Sequence, residues 1–243
     1  MNKSLIINLF SPFEWFLILG VISTSLAYSL YMNQFDALGF IAGLSGVLCV
    51  VLVAKRNMLN YVFGIINVSL YAYISFKSLL YGDAALNALY YLPMQFIGWF
   101  MWSKRTVNAA KNNKQDRDTK EEISIATQTV ISKKMNTKER VLLGIFCIGI
   151  TLLGGYILAT FTQDPQPYKD SATTILSIIA MFLMVKTYTE QWALWIIVNT
   201  ISIIMWTLLL IDGDFRAGLM IAMWIFYLAN SINGLITWSK AAA

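Results

Sequence analysis

Histidine is absent from the 243 residues, and cysteine occurs only twice. The first absence removes the commonest general base and metal ligand together. The second leaves Cys49 and Cys147 far apart in separate apolar runs, which suggests neither a disulfide framework nor a metal cluster. Charge is scarce as well. Asp, Glu, Lys and Arg make up 13% of the chain, against about 25% in soluble domains. A soluble fold of this length needs a polar skin that so few charges cannot supply. With 58% hydrophobic residues and a mean hydropathy of +0.62, the chain reads instead as several long apolar helices with lipid as their solvent. An integral-membrane enzyme finds no support: no histidine, no serine beside a plausible base and no buried carboxylate pair exist to do the chemistry. No cofactor is expected. The net charge of +5 points away from nucleic acid once its position is traced, because most of it lies in one loop beside the membrane.

Eight apolar stretches are present, roughly 13–32, 37–54, 58–80, 84–102, 141–161, 171–187, 191–211 and 215–237, each near the ~20 residues a bilayer requires. The first lacks the short apolar region and small-residue cleavage site of a signal peptide, so it is kept in the mature chain. Its sequence leaves open whether it spans or lies on the surface. Lysine and arginine set the orientation. Ten of the eighteen fall in the 103–140 connection, which alternates Lys, Asn, Gln, Asp and Thr and reads as a solvated linker. Placing it in the cytoplasm puts Lys3, Lys55, Arg56, Lys186 and Lys240 on the same side, with both termini. The expectation is a multi-pass protein of the bacterial inner membrane.

Two thirds of the chain is one pattern written twice. Each copy has an Asn in mid-helix (Asn67, Asn199), then a Gly-Asp turn (Gly82-Asp83, Gly213-Asp214), then a helix ending Gly-x3-Trp-Ser-Lys. Ahead of these, Asp36 and Asp170 open short helices that end at Lys55 and Lys186. The division that follows is 1–35 as an extra N-terminal helix, 36–103 as the first three-helix repeat and 104–140 as a cytoplasmic basic linker. Residues 141–161 form a linker transmembrane helix, 162–240 the second repeat and 241–243 a cloning scar. Three helices cross the membrane an odd number of times, so one linker helix between the copies makes the repeats parallel. That is the arithmetic of a transporter whose path runs between two halves.

No ionisable side chain falls near the centre of any stretch, which favours passive movement over proton coupling. What does reach mid-depth is amide, hydroxyl and aromatic. Asn60, Gly64, Asn67 and Tyr71 share one helical face. Gln191, Trp195, Asn199 and Ser202 share another, with Tyr188 and Trp192 a turn outward. Asn87, Tyr91, Gln95 and Trp99 align on the fourth stretch, and Met223, Tyr227, Asn230 and Asn233 on the last. Amides in hydrocarbon are costly unless bonded, so they face the bundle interior. A lone Asn there more often bonds helix to helix; amides recurring in both repeats beside Trp and Tyr favour a lined pocket. Gly39-x3-Gly43 and Ala42-x3-Gly46 read as close packing, and Pro93 frees a carbonyl near mid-membrane. Aromatic walls suit a flat or cationic ring at about 0.5–2 kcal/mol per contact, and amides suit a carboxamide or sugar hydroxyls. Without a buried Lys or Arg, a phosphate dianion has no partner. The specified cargo is small, ring-bearing, polar, and neutral or monocationic.

The run Gln191-Trp192-Ala193-Leu194-Trp195-Ile196-Ile197-Val198-Asn199, the run Gln95-x2-Gly98-Trp99-x2-Trp102 and the 3+1+3 organisation resemble the PnuC family of bacterial nicotinamide riboside transporters, over roughly 35–240. The resemblance implies an all-α polytopic membrane protein with a SWEET-like arrangement of two three-helix bundles, a homotrimer in lipid, and a facilitator working by alternating access. It also implies cargo contacts from Trp and Asn positions of the Trp192–Asn199 helix and from the Gln95 helix. The candidate binding residues are therefore Asn67, Tyr91, Gln95, Trp99, Tyr188, Gln191, Trp192, Trp195, Asn199, Tyr227 and Asn230. Nicotinamide riboside, with its pyridinium, carboxamide and ribose, meets the specification above. Another vitamin precursor, nucleoside or small sugar remains the alternative cargo.

Overall fold

The computed structural model describes residues 10–33, 37–77, 84–113, 130–161, 167–211 and 217–242. The described secondary structure is helical: α1 Pro12–Met32, α2 Ala37–Ala54, α3 Asn60–Lys77, a π-helical turn Leu86–Tyr91 leading into α4 Leu92–Asn113, α5 Thr137–Phe161, α6 Pro167–Val185, α7 Gln191–Ile211 and α8 Ala217–Ala241. Six helices are long and apolar enough to cross a membrane, and Asn60–Ile74 is a shorter apolar helix. The eight expected stretches therefore appear as eight helices with shifted ends. Asp36, the turns Gly82-Asp83 and Gly213-Asp214, and residues 114–129 of the linker lie outside the described residues.

α1 starts on a reciprocal cap. The Ser11 hydroxyl accepts the Glu14 N–H at 3.3 Å, and the Glu14 carboxylate accepts the Ser11 N–H at 2.7 Å. The same carboxylate takes Lys55 Nζ from the far end of α2 at 2.9 Å. With Leu17, Ile18 and Val21 packed among Val47 and Val51, α1 runs antiparallel along α2 from Glu14 to Val21. It is one of the helices long and apolar enough to cross a membrane.

Six helices close into a ring. In order around it, α2 touches α3, α3 touches α4, α4 touches α6, α6 touches α7, α7 touches α8, and α8 returns to α2. α5 leans on α6 from outside, and α1 packs against α2 and α8. Pro93 explains the irregular start of α4. Its ring clashes with the carbonyl four residues back in a regular α-helix, and the preceding turn widens instead, so that the Leu92 N–H reaches Asn87 O.

The α2–α3 and α6–α7 connections are copies of one another. Arg56 and Thr187 sit at φ 58° and 63°, a left-handed conformation that L side chains seldom adopt. Around them the bonds match: Arg56 N–H to Val53 O and Thr187 N–H to Met184 O, each 2.9 Å, then Asn57 N–H to Leu52 O and Tyr188 N–H to Leu183 O, each 2.9 Å. We call these the first and second hinges. Both lie at one end of the ring, because a single extended segment reaches them within four residues: Val130 N–H donates to Arg56 O (3.1 Å) and Lys133 N–H to Thr187 O (2.8 Å). That segment corrects the reading of 103–140 as solvated throughout. α4 continues to Asn113, and both Val130 and Ser132 are 1% exposed. The Val130 and Lys133 backbone N–H groups are met by hinge carbonyls rather than by water.

Candidate binding site within the helix ring

The hinge end of the ring is floored by aromatic rings. Trp102, Trp192, Trp238 and Tyr61 are all buried in one cluster with Met58, Met181, Met184 and Val130. Their rings meet edge-on or tilted: Tyr61–Trp102 at 5.1 Å, Trp192–Trp238 at 5.9 Å and Trp102–Trp238 at 6.1 Å. Tyr61 and Trp192, one residue into α3 and α7, lie against Gly98 of α4 and Gly234 of α8.

The two Gly-x3-Trp tryptophans are used crosswise. Trp102 Nε1, on α4, donates to Met184 O at the end of α6 (3.3 Å). Trp238 Nε1, on α8, donates to Val53 O and Ala54 O at the end of α2 (3.0 and 3.1 Å). Val53 O and Met184 O also accept the hinge N–H groups of Arg56 and Thr187, so each repeat's final helix adds a second donor at the end of the other repeat's first helix. Tyr90 Oη to Ile178 O (2.6 Å) and Asn230 Nδ2 to Val50 O (3.0 Å) add further bonds of the same crossing kind.

The expected site residues divide into three groups. Tyr91, Trp192 and Trp195 converge on the aromatic cluster, with Gln191 fully buried at the start of α7. Gln95 is buried, and its carboxamide fills the space over Gly64, where a β-carbon would stand 2.7 Å from Cδ. The second group is deeper and spends its polar atoms between helices. Asn67 Nδ2 donates to Ala42 O at 2.8 Å. Its amide and the Tyr227 hydroxyl both close on Gly46, which fits the close packing expected there. Asn199 Nδ2 donates to Ser231 Oγ at 2.9 Å, with both residues buried. The third group stands apart. Trp99 is 38% exposed on the outer face of α4, and Tyr188 belongs to the second hinge, where it bridges to Lys133.

Counting from the hinges, Asn67 corresponds to Val198 and Asn199 to Val68, so the two mid-helix amides stand one residue out of register. One step turns a helix by about 100°, which is why Asn67 reaches α2 while Asn199 reaches α8. Gln95 and Asn230 are likewise offset. From the Gly-x3-Trp landmark, Gln95 matches Ser231 and Asn230 matches Met94.

Several buried polar atoms find no partner among the described residues: Asn60 Oδ1, Gln95 Oε1, Gln191 Oε1 and Nε2, Asn230 Oδ1 and Trp192 Nε1. The orientation of Asn60 and Asn230 is fixed, because each NH2 group already donates to a carbonyl. Each unmet group costs about 1–3 kcal/mol in a dry interior. Four of the six are carbonyl oxygens. No Lys or Arg lies at mid-depth in any described helix, and no group of His, Cys, Asp or Glu among the described residues could hold a metal ion.

Comparison with known proteins identifies relatives of the chain. The family model described as "Nicotinamide mononucleotide transporter" matches residues 36–240. The nicotinamide riboside transporter PnuC of Neisseria mucosa is 34% identical over 211 residues, covering 86% of this chain and 74% of the relative. The nicotinamide riboside transporter PnuC of Escherichia coli is 30% identical over 218 residues, covering 87% of each. A solved structure, "Crystal structure of the Vitamin B3 transporter PnuC", superposes with a TM-score of 0.74 at 31% identity, covering 96% of this chain and 92% of that one.

Proposed function

This chain belongs to the family described as nicotinamide mononucleotide transporters, which its PnuC relatives share, and from that membership we propose that it carries nicotinamide riboside across the bacterial inner membrane. It does so by facilitated diffusion, through alternating access between two halves. The observation that carries the choice of cargo is the acceptor-rich set of unmet polar atoms beside the aromatic floor. Carbonyl dipoles favour a pyridinium cation and accept from ribose hydroxyls and a carboxamide NH2. Trp and Tyr faces add stacking and cation–π attraction of about 0.5–2 kcal/mol each. A phosphate brings only acceptors to a chamber already rich in them, with no cation to offset its desolvation. The riboside is therefore the cargo and the mononucleotide is not.

In this reading Tyr91, Trp192 and Trp195 face the ring of the cargo, and Gln95, Gln191 and Asn230 bond it. Asn67, Asn199 and Tyr227 shape the chamber through the helix contacts they make. Trp99 and Tyr188 stay outside it. The helix ring is two parallel three-helix repeats, 36–103 and 162–240, joined by α5, with α1 as an addition: the SWEET-like 3+1+3 arrangement. Matching hinges at one end and reciprocal tryptophans support this pairing. The hinge end is cytoplasmic, as are both termini, because Lys55, Lys104, Lys133, Lys138, Arg140, Lys186 and Lys240 gather there. A homotrimer is part of the same reading, burying apolar surface such as the exposed Phe96, Trp99 and Phe100 on α4.

Purified protein in liposomes tests the proposal. Labelled riboside should enter saturably without an ion gradient, and the mononucleotide should compete at least a hundredfold less well. Absence of saturable riboside flux, or equal competition by the mononucleotide, refutes it. An acceptor-rich site also fits another vitamin precursor or a small sugar, and thiamine or glucose displacing the riboside at lower concentration would favour that cargo.

A further inference from the structure

The segment Val130–Met135 carries a function that its composition hides. It crosses the hinge end of the ring and bonds to both halves. To the first hinge it makes two links: Val130 N–H to Arg56 O at 3.1 Å, and Arg56 Nη1 to Val130 O at 3.3 Å. To the second it makes more. Lys133 N–H donates to Thr187 O (2.8 Å), and Lys133 O accepts both the Thr189 N–H (2.9 Å) and the Thr189 hydroxyl (3.0 Å). Met135 N–H donates to the Glu190 carboxylate at 3.1 Å, and Arg140 Nε holds the same oxygen at 2.9 Å. The Ser132 hydroxyl donates to Trp238 O on α8 at 3.1 Å. Val130 inserts its side chain into the cluster of Trp102, Trp192 and Trp238. Just beyond, Asn136 and Glu139 cap α5 reciprocally, anchoring the strap's end to a helix outside the ring.

A strand paired to both halves holds the hinges at a fixed spacing, about 10 Å for three residues of extended chain. The halves cannot part at this end while both pairings stand. We infer that Val130–Met135 is an exit latch: it stays bound to the second hinge and lets go of the first when cargo leaves through the hinge end. The asymmetry of attachment sets which side yields. One backbone bond and one guanidinium hold the first hinge, whereas three bonds at Lys133, the Glu190 carboxylate and Ser132 hold the second half. This rests on the alternating-access reading above.

Two cysteine pairs separate the sides. Lys133 and Tyr188 are bridged directly, and Val130 N–H meets Arg56 O, next to Asn57, as Lys133 N–H meets Thr187 O, next to Tyr188. Opposed residues of neighbouring strands meet the Cα spacing a disulfide needs. Riboside flux into liposomes is compared before and after reduction for Val130→Cys/Asn57→Cys and for Lys133→Cys/Tyr188→Cys, with the wild-type protein as control for Cys49 and Cys147. The oxidised first pair should lose at least nine-tenths of its flux and regain it on reduction. The oxidised second pair should transport as it does when reduced. Unchanged flux in the oxidised first pair overturns the latch, and so does lost flux in the oxidised second pair. If wild-type protein itself moves no riboside, the functional reading fails rather than the latch.

Arg56→Asn supplies an independent check that needs no cross-link. Asparagine tolerates the left-handed backbone and removes the guanidinium from Val130 O. Losing one such bond corresponds to roughly two- to tenfold easier release. Riboside exchange across the membrane should accelerate in that range, and exchange at or below the wild-type rate overturns the proposal.

Discussion

Gly64→Ala is the sharpest probe of the chamber. A β-carbon at Gly64 would stand 2.7 Å from Gln95 Cδ and 2.9 Å from Nε2, with Oε1 nearer still. Ordinary contact begins near 3.4 Å, so the carboxamide must retreat by about 1 Å. The obstacle is the far end of a flexible side chain, so α3 and α4 need not separate and the stability cost stays near the low end of the ~1–3 kcal/mol typical of overpacking. Binding suffers more. If Gln95 Oε1 bonds a cationic cargo, displacing it forfeits about 1.5–3 kcal/mol, or roughly 10- to 150-fold in affinity. Calorimetry with riboside on four proteins decides the matter: wild type, Gly64→Ala, Gln95→Ala and the double variant. Gly64→Ala should bind about as weakly as Gln95→Ala, and the double variant no more weakly than either, because Gln95→Ala clears the space the methyl needs. Affinity within twofold of wild type in Gly64→Ala refutes the reasoning. So does an equal further loss when it is added to Gln95→Ala.

Trp238→Phe removes the donor to Val53 O and Ala54 O and should lower stability by about 1–3 kcal/mol. Trp102→Phe, losing one longer bond to Met184 O, should cost less; thermal unfolding in detergent reads the order, and a reversed order counts against the crosswise fastening. Glu14→Gln leaves Lys55 without its counter-charge and weakens the cap of α1, at about 1–3 kcal/mol given that Lys55 is partly exposed. Its unfolding midpoint should fall and recover in part when Lys55→Met is added, while riboside flux stays unchanged; a midpoint equal to wild type removes the pair from the account of stability.

Helix number and polar depth were legible in the sequence because lipid imposes a coarse rule: long apolar runs with amides turned inward. Register was not. Asn67 and Asn199 look equivalent in a linear repeat, yet a one-residue offset after the hinges sends them to different neighbours. The Gln95-x2-Gly98-Trp99 run drew Trp99 into the candidate site by its spacing from Gln95, whereas the indole that turns inward from this helix is Trp102. The repeated Gly-x3-Trp could have found Trp102 and Trp238, since a landmark kept in both copies at a helix end points to a carbonyl acceptor there. Val130–Met135 carried no such signal. Val130, Ile131 and Met135 make it half apolar, but it is six residues at the end of a long basic connection, and only tertiary pairing with the hinges distinguishes it.

The crosswise indoles also bear on how the protein is made. Ala54 O emerges from the ribosome early, yet the indole that donates to it belongs to residue 238, which emerges almost last. The crossing bond to Met184 O has the opposite order, because its Trp102 indole is made before its acceptor. The fastening of the two halves by both indoles is therefore complete only once Trp238 has been made.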